Sequence, residues 1–171
     1  MYKYLVFFLM LLVASCDTTP QKSEKQNVDG LKESMEKANR YLVNDEETDI
    51  EDYIARHGLD VVATGTGLRY VILKQGSERQ IKDGDVVAIE YELRSIAGDV
   101  IYSSKNEGNK VFKVGEGFVE SGLEESMHYL HYQDVAIVII PSHLGYGLHG
   151  DENKIPAYST LIYTIKIIDI Q

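Results

Sequence analysis

Hydrophobic residues follow three spacings along the chain, and each spacing predicts a different structure. Residues 5–14 are continuously apolar, whereas residues 17–29 contain almost no apolar side chains. Four apolar residues then recur every three or four positions: Leu31, Met35, Ala38 and Leu42. This spacing places them on one face of a helix. After Gly58 the period falls to about two, which is typical of strands.

A second helix is predicted just before Gly58. Thr48 and Glu51 match the capping box, in which a hydroxyl and a carboxylate satisfy free backbone N–H groups at a helix start. Three apolar residues follow in this segment: Ile50, Tyr53 and Ile54. A glycine is a common helix end, so the helix is expected to stop near Gly58. Both helices are expected to pack on the following domain or on each other; the alternative is that they join two copies of the chain.

Three segments rich in β-branched and aromatic residues predict strands, at residues 86–93, 135–140 and 160–170. Turn signals lie between strand-like segments: Gly76-Ser77, Asp83-Gly84 and Ala97-Gly98-Asp99. One helix-like segment, at about residues 120–129, interrupts them. Strands and helices do not alternate as in a parallel α/β protein. The expected fold class is therefore α+β, with a mainly antiparallel sheet packed on one short helix.

The apolar run at residues 5–14 has the length of a signal-peptide core and is too short for a bilayer, which takes about 20 apolar residues. Lys3 precedes the run, and the sequence LVASC ends it at Cys16. This segment resembles the lipobox of bacterial lipoproteins, which implies that Cys16 is lipidated and becomes the new N-terminus. The alternatives are an ordinary signal peptide with an incidental cysteine and a buried N-terminal helix.

Composition limits the chain to one globular domain with appendages, because it has 171 residues, of which 44% are hydrophobic and 26% are charged. The net charge of -10 is spread along the chain, and no basic cluster offers a footprint for nucleic acid. Anionic headgroups repel an acidic protein, so membrane attachment is expected through lipidated Cys16 and not through charge. Cys16 is the only cysteine, so the chain cannot form an internal disulfide.

A series of short motifs extends through the second half of the chain. In order they are Gly84-Asp85-x-Val87, Tyr91, Ser103-Ser104, Val119, Gly122-x-Glu124-Glu125, Pro141, Gly145-Tyr146-Gly147, Ile155-Pro156 and Thr160-Leu161. Each motif alone is weak, but their order and spacing between residues 65 and 171 form a specific pattern. In this pattern the segment resembles the FKBP-type peptidyl-prolyl cis-trans isomerases.

The resemblance implies a five- to six-stranded antiparallel sheet wrapped around one short helix, with an apolar cleft that receives the proline of a polypeptide. It implies catalytic roles for Tyr91, Tyr146 and Phe112. Seven further residues match substrate-binding positions of the family: Ile101, Tyr102, Val119, Glu120, Leu123, Ile155 and Tyr163. The Tyr146 hydroxyl is expected to fix the substrate backbone by a hydrogen bond.

Several of these positions depart from the family pattern. Ile101 and Tyr102 stand where the family usually has Phe-Asp, so the cleft loses an aromatic wall and a buried carboxylate. Leu123 replaces a common tryptophan. Glu120 replaces an apolar residue whose backbone N–H commonly binds ligand carbonyls, which is expected to put a charge at the cleft rim. The loss of the Phe-Asp pair at Ile101-Tyr102 favours an alternative: a non-catalytic FKBP-like chaperone or interaction module in an envelope assembly.

The expected reaction needs no cofactor and no metal, because amide resonance, about 18–20 kcal/mol, is what opposes rotation of an X-Pro bond. His128 and His131 can share a helix face, but no recognisable set of further metal ligands lies near them in the sequence. The expected client is a proline-containing polypeptide, and the chain is expected to be a monomer or weak dimer. The expected location is the cell envelope, on the periplasmic or outer-membrane side of a bacterial membrane.

Four regions are expected along the chain. They are a lipoprotein signal peptide at 1–15, a tether at 16–30, a helical N-terminal extension at 31–60 and the isomerase domain at 61–171.

Overall fold

The computed structural model describes residues 23–171, with the side chains of residues 30–38 and 43–171. The predicted signal peptide and Cys16 lie outside the described residues. The chain divides between Leu42 and Val43 into two compact units, and the second unit, Val43–Gln171, contains the whole sheet.

One helix, α1 (Ser23–His57), replaces the two helices predicted from the sequence, and it begins inside the predicted tether. The expected capping hydroxyl of Thr48 lies within this helix and donates to the Asn44 carbonyl one turn earlier, at 2.9 Å. No glycine or proline between residues 43 and 57 interrupts the backbone bonding. Among the described helices, none is both long and apolar enough to cross a membrane.

The predicted helix end at Gly58 is confirmed. Gly58 has a φ of 60°, a left-handed conformation that glycine adopts without a steric penalty. Its N–H donates to the Ala55 carbonyl at 3.2 Å, and the Leu59 N–H donates to the Ile54 carbonyl at 3.1 Å. These two bonds form the Schellman motif, which satisfies carbonyls that the helix leaves free at its end.

Seven strands form one antiparallel sheet, in agreement with the predicted α+β class. They are β1 (Val62–Ala63), β2 (Arg69–Lys74), β3 (Val86–Ser95), β4 (Val100–Ser103), β5 (Lys110–Lys113), β6 (Val135–Ile140) and β7 (Leu161–Ile170). The helices after α1 are short: α2 (Ser104–Glu107), α3 (Ser121–Met127) and a 3-10 turn at Ser142–Leu144.

The strand order is β1-β2-β6-β7-β3-β4, and β5 pairs with the other half of β3. The later part of β3 pairs with β4 between Glu92 and Arg94. Its first part pairs with β5, where Val87 lies opposite Phe112. β4 and β5 therefore pair with different halves of the same long strand, β3. This pairing brings β5 to the edge of the cleft described below.

The main core lies between the sheet and α3. Leu123 and Met127 of α3 are fully buried there, together with alternate residues of β3, β6 and β7. Alternate residues of a strand point to opposite faces, so one face of each strand supplies this core.

A second, smaller core covers the other face of the sheet. Ile50 and Tyr53 of α1 pack with Ile139 of β6 and Ile162 of β7, and all four side chains are buried. Because the two faces of the sheet are covered here, β6 is buried on both sides, which explains its unbroken apolar sequence. The final part of α1 thus packs on the domain, one of the arrangements expected from its sequence.

Polar contacts hold this part of α1 in register with the sheet. The Glu46 carboxylate accepts hydrogen bonds from the Ser142 N–H at 2.6 Å and from the Thr160 hydroxyl at 2.7 Å. Arg69 of β2 forms ion pairs with Glu47 and, at 3.3 Å, with Glu51. Glu46 therefore joins α1 to the segments at the end of β6 and the start of β7.

Ile50→Val is expected to lower the free energy of unfolding by about 0.5–1.5 kcal/mol, because it removes one methylene from the fully buried second core. Urea unfolding measures the change. Leu73→Val, which removes the same group from a side chain that is 53% exposed, is expected to change stability by less than about 0.5 kcal/mol. Equal losses in the two variants would show that α1 does not pack on the sheet in solution.

Candidate active site

A cavity of about 470 Å³ opens beside α3. Its walls come from β5, the segment before α3 and the loop after the 3-10 turn. The lining residues are Lys110, Val111, Phe112, Phe118, Val119, Glu120, Gly145 and Tyr146. The structure thus brings together four of the residues predicted from the sequence, namely Phe112, Val119, Glu120 and Tyr146.

Two further predicted residues, Tyr91 and Tyr163, lie next to this cavity in the main core. They sit on neighbouring strands β3 and β7, and their ring centroids are 6.0 Å apart. Lys110 of β5 covers both rings, with its Nζ 5.4 Å from the Tyr91 centroid and 5.5 Å from the Tyr163 centroid. A cation at this distance is attracted by the negative face of an aromatic ring.

The Glu120 side chain lies inside the site and not at its rim, because the residue is only 8% exposed. Its Oε1 accepts hydrogen bonds from the hydroxyls of Tyr146 and, at 2.9 Å, Tyr163. Lys110 Nζ lies 3.3 Å from the same oxygen. Three donors thus surround one buried carboxylate, which explains how the charge is accommodated.

Electrostatics keep Glu120 ionised. Burial by itself raises the pKa of this carboxyl, but the Lys110 ammonium opposes burial. Hydrogen bonds from Tyr146, from the residue's own backbone N–H and from Tyr163 add to this opposition, and the net pKa lies below the ordinary value. Burial raises the pKa of Tyr146 and of Tyr163, and the negative charge of Glu120 raises both further.

Tyr102 forms a second polar cluster with the loop at residues 151–154 and does not line the cavity. Its hydroxyl donates to the Asp151 carboxylate and accepts from Asn153 Nδ2 at 3.0 Å. Lys154 Nζ lies 4.6 Å from the Tyr102 ring centroid. Burial raises the pKa of Asp151, but the bonds from Tyr102 and from backbone N–H groups lower it below its ordinary value.

The remaining predicted residues do not line the cavity and lie in or against the main core. Leu123 is fully buried and Ile155 is 3% exposed, so both belong to the main core. Ile101 is partly buried and packs against that core. Asp151 Oδ1 accepts the Ile155 N–H at 2.6 Å, and this bond fixes the loop that follows Tyr146.

Four lining residues were not among the predicted site residues: Lys110, Val111, Phe118 and Gly145, of which Gly145 lies in the motif Gly145-Tyr146-Gly147. A lysine at the start of a short strand is normally a solvated charge, so the sequence offered no signal for Lys110. Phe118 is 73% exposed and Val111 is 64% exposed, and they form an apolar rim. Phe118 directly precedes Val119, which matches the family pattern, and this position was the available sequence signal that Phe118 lines the site.

His128 and His131 each contact a carboxylate. His128 Nε2 lies 2.8 Å from Asp83, and the bond to this carboxylate raises the pKa of the imidazole. His131 Nδ1 lies 3.5 Å from the buried Asp134. Among residues 23–171, no group of three or more His, Cys, Asp or Glu side chains is arranged to hold a metal ion.

Two known proteins are similar to this chain in sequence. A probable FKBP-type peptidyl-prolyl cis-trans isomerase FkpA of Neisseria meningitidis serogroup B is 38% identical over 111 residues, which cover 64% of this chain and 40% of that protein. FK506-binding protein 2 of Dictyostelium discoideum is 36% identical over 90 residues, 52% of this chain and 68% of that protein. The chain thus spans less than half the length of the Neisseria relative.

The crystal structure of FkpA from Escherichia coli matches the fold with a TM-score of 0.66 at 21% identity, over 100% of this chain and 82% of that chain. The sequence profile of the FKBP-type peptidyl-prolyl cis-trans isomerases matches residues 77–168, which include β3 to β6 and most of β7. With this match over more than half of its length, the chain belongs to the FKBP-type peptidyl-prolyl cis-trans isomerase family.

Proposed function

We propose that the chain catalyses cis-trans isomerisation of X-Pro bonds in polypeptides, in the cavity beside Tyr146. The cavity carries the proposal: its volume of about 470 Å³ lies within the range of about 300–1,000 Å³ that small-ligand sites occupy. Phe112 and Val119 give it an apolar wall for a pyrrolidine ring, and no side chain that the structure describes fills it. We assign Tyr91 and Tyr163 to the wall behind Lys110.

The physical basis is the polarity of the amide. A planar amide oxygen carries more negative charge than a twisted one, so an environment that removes water from the oxygen favours the twisted state. Uncatalysed exchange takes tens to hundreds of seconds. Phe112, Val119 and Phe118 offer a cleft wall that excludes water from one side of the bond.

We further propose that the chain acts at a bacterial cell envelope, anchored by lipid on Cys16, and assists the folding of exported proteins. The LVASC sequence before and at Cys16 supports the anchor. Two or more acyl chains hold a protein on a membrane stably, whereas a single chain binds only marginally. Mass spectrometry of the protein expressed in a bacterium tests the lipid, and Cys16→Ser is expected to release the protein from membranes.

A second candidate function is a non-catalytic module that binds proline polypeptides without turning them over. One observation favours it: Lys110 Nζ covers the rings of Tyr91 and Tyr163, so a proline ring reaches those faces only if the ammonium moves. Binding without acceleration of exchange would identify this function.

The isomerase proposal predicts that the purified protein accelerates cis-trans exchange of a proline tetrapeptide, measured by NMR exchange spectroscopy. Tyr146→Phe is expected to lower kcat/KM about three- to tenfold, because it removes one hydrogen bond to the client. Tyr158→Phe is the matched control, since Tyr158 is 47% exposed and does not line the cavity. A wild-type protein that binds the peptide but leaves the exchange rate unchanged would refute the proposal.

A further inference from the structure

The direction of each hydrogen bond around Glu120 follows from the chemistry of its partners. An ammonium only donates hydrogen bonds, and an ionised carboxylate only accepts them. Lys110 Nζ donates to the Tyr163 hydroxyl oxygen at 3.1 Å, so the Tyr163 proton points elsewhere and is donated to Glu120 at 2.9 Å. Tyr146 donates its own proton to the same Glu120 oxygen.

Tyr146 is therefore left with lone pairs, and no proton, to offer a ligand. A tyrosine hydroxyl has one proton, and a bond to a carboxylate is about twice as strong as a bond between neutral groups. Among the residues that the structure describes, the Tyr146 hydroxyl bonds only to Glu120. Tyr146 lines the cavity, so a ligand there meets an oxygen that can accept.

We propose that Glu120 is a specificity-determining residue, because it holds the Tyr146 proton. The cleft therefore selects proline polypeptides that present a backbone N–H to Tyr146, over ligands that present only carbonyl oxygens. This inference rests on the proposed function, because it assigns a substrate class to the same cleft. Proline has no N–H. The nearest donors in a client are the N–H groups of the residues before and after its proline.

A hydrogen bond from a client N–H to the Tyr146 oxygen suits the isomerisation better than a bond from Tyr146 to the client carbonyl. A donor to the X-Pro carbonyl stabilises the planar amide, whose oxygen carries more charge, and thereby raises the barrier. An acceptor that binds a neighbouring N–H positions the client without this cost. Glu120 thus lets Tyr146 orient the backbone while the reacting carbonyl receives no proton from it.

Peptide affinity of the full chain tests the inference, by NMR titration with a proline tetrapeptide and with two depsipeptides. In each depsipeptide an ester oxygen replaces one N–H, either before or after the proline. One ester is expected to bind wild type about three- to tenfold more weakly than the amide peptide. With Tyr146→Phe, the amide and this ester are expected to bind within about twofold of each other.

Two substitutions at Glu120 separate the effect of its oxygen from that of its shape. Glu120→Gln keeps a carbonyl oxygen that accepts the Tyr146 proton. The weaker binding of the ester relative to the amide peptide, here called the ester penalty, is therefore expected to persist. Glu120→Leu releases the proton, and the penalty is expected to fall below about twofold. Amide NMR spectra show whether each variant is folded, and if Glu120→Leu is not, the comparison of wild type with Tyr146→Phe decides.

Equal affinity of wild type for the amide and both esters would overturn the inference, and so would an undiminished penalty in folded Glu120→Leu. Exchange rates are measured in the same samples, so the two proposals fail separately. An ester penalty without catalysis supports the inference and refutes the isomerase proposal. Catalysis without an ester penalty supports the isomerase proposal and refutes the inference.

Discussion

At pH 7, Lys110→Met is expected to lower the free energy of unfolding by about 2–3 kcal/mol, because it leaves the buried Glu120 carboxylate without its cation. Methionine keeps most of the aliphatic length of lysine and removes the charge together with the hydrogen bond that Lys110 donates to the Tyr163 hydroxyl. The Glu120 side chain is 4% exposed and the Lys110 side chain 28%, so solvent screens this pair only in part. Urea unfolding at equal protein concentration measures the loss.

Lys113→Met is the matched control on the same strand. Lys113 Nζ lies 2.6 Å from Glu116, but both side chains are more than 40% exposed, at 45% and 43%. An exposed pair contributes at most about 1 kcal/mol, because water screens it and both side chains lose freedom. Similar losses for Lys110→Met and Lys113→Met would contradict the role assigned to Lys110.

The loss caused by Lys110→Met is also expected to shrink as the pH falls. The folded-state pKa of Glu120 is lowered, so its contribution to stability is present above the ordinary glutamate pKa of about 4.3 and is lost as the pH falls through the folded-state value. Below that value the carboxyl is neutral in both proteins and needs no cation. Unfolding from about pH 7 to about pH 3 tests this, and a difference independent of pH would refute it.

The sheet could be predicted because its long strands carry distinctive sequences. Residues 135–140 were predicted as a strand and form β6, and residues 160–170 contain β7. β1 and β5 have two and four residues, too few for a periodic pattern, and their pairing depends on distant partners. The capping box at Thr48 misled for a related reason: its signal is local, and the same hydroxyl bonds equally well to a carbonyl within a helix.

The walls of the cavity could be predicted in part because the family motifs fix Phe112, Val119 and Tyr146 in order. The polar network could not be predicted, since Lys110 meets Glu120 only after β5 pairs with β3. Glu120 was expected at the rim because a charge usually stays in water. Its burial requires three donors from three elements at one point, and sequence spacing does not show such a convergence.

The largest loss of stability is expected for Asp134→Ala, about 3–5 kcal/mol, because the substitution removes a buried carboxylate that accepts two backbone hydrogen bonds, and a hydrogen bond to a charged group contributes about 1.5–3 kcal/mol. Asp134 is 1% exposed and accepts from the Gly76 N–H at 2.6 Å and from the His131 N–H at 2.8 Å. The backbone passes very close here, since a Cβ on Gly76 would lie 2.1 Å from the Tyr132 carbonyl oxygen.

Asp83→Ala is the matched control for Asp134→Ala. The Asp83 side chain is 75% exposed and contacts His128 at 2.8 Å, so its removal is expected to cost at most about 1 kcal/mol. Hydrogen exchange localises the effect: the Gly76 and His131 amides are expected to lose protection in Asp134→Ala and to keep it in Asp83→Ala. Asp134 immediately precedes β6, and β6 leads into the loop of Tyr146, so peptide affinity is expected to fall in Asp134→Ala as well. If the two amides lose protection and peptide affinity is unchanged, the cleft does not depend on the start of this strand.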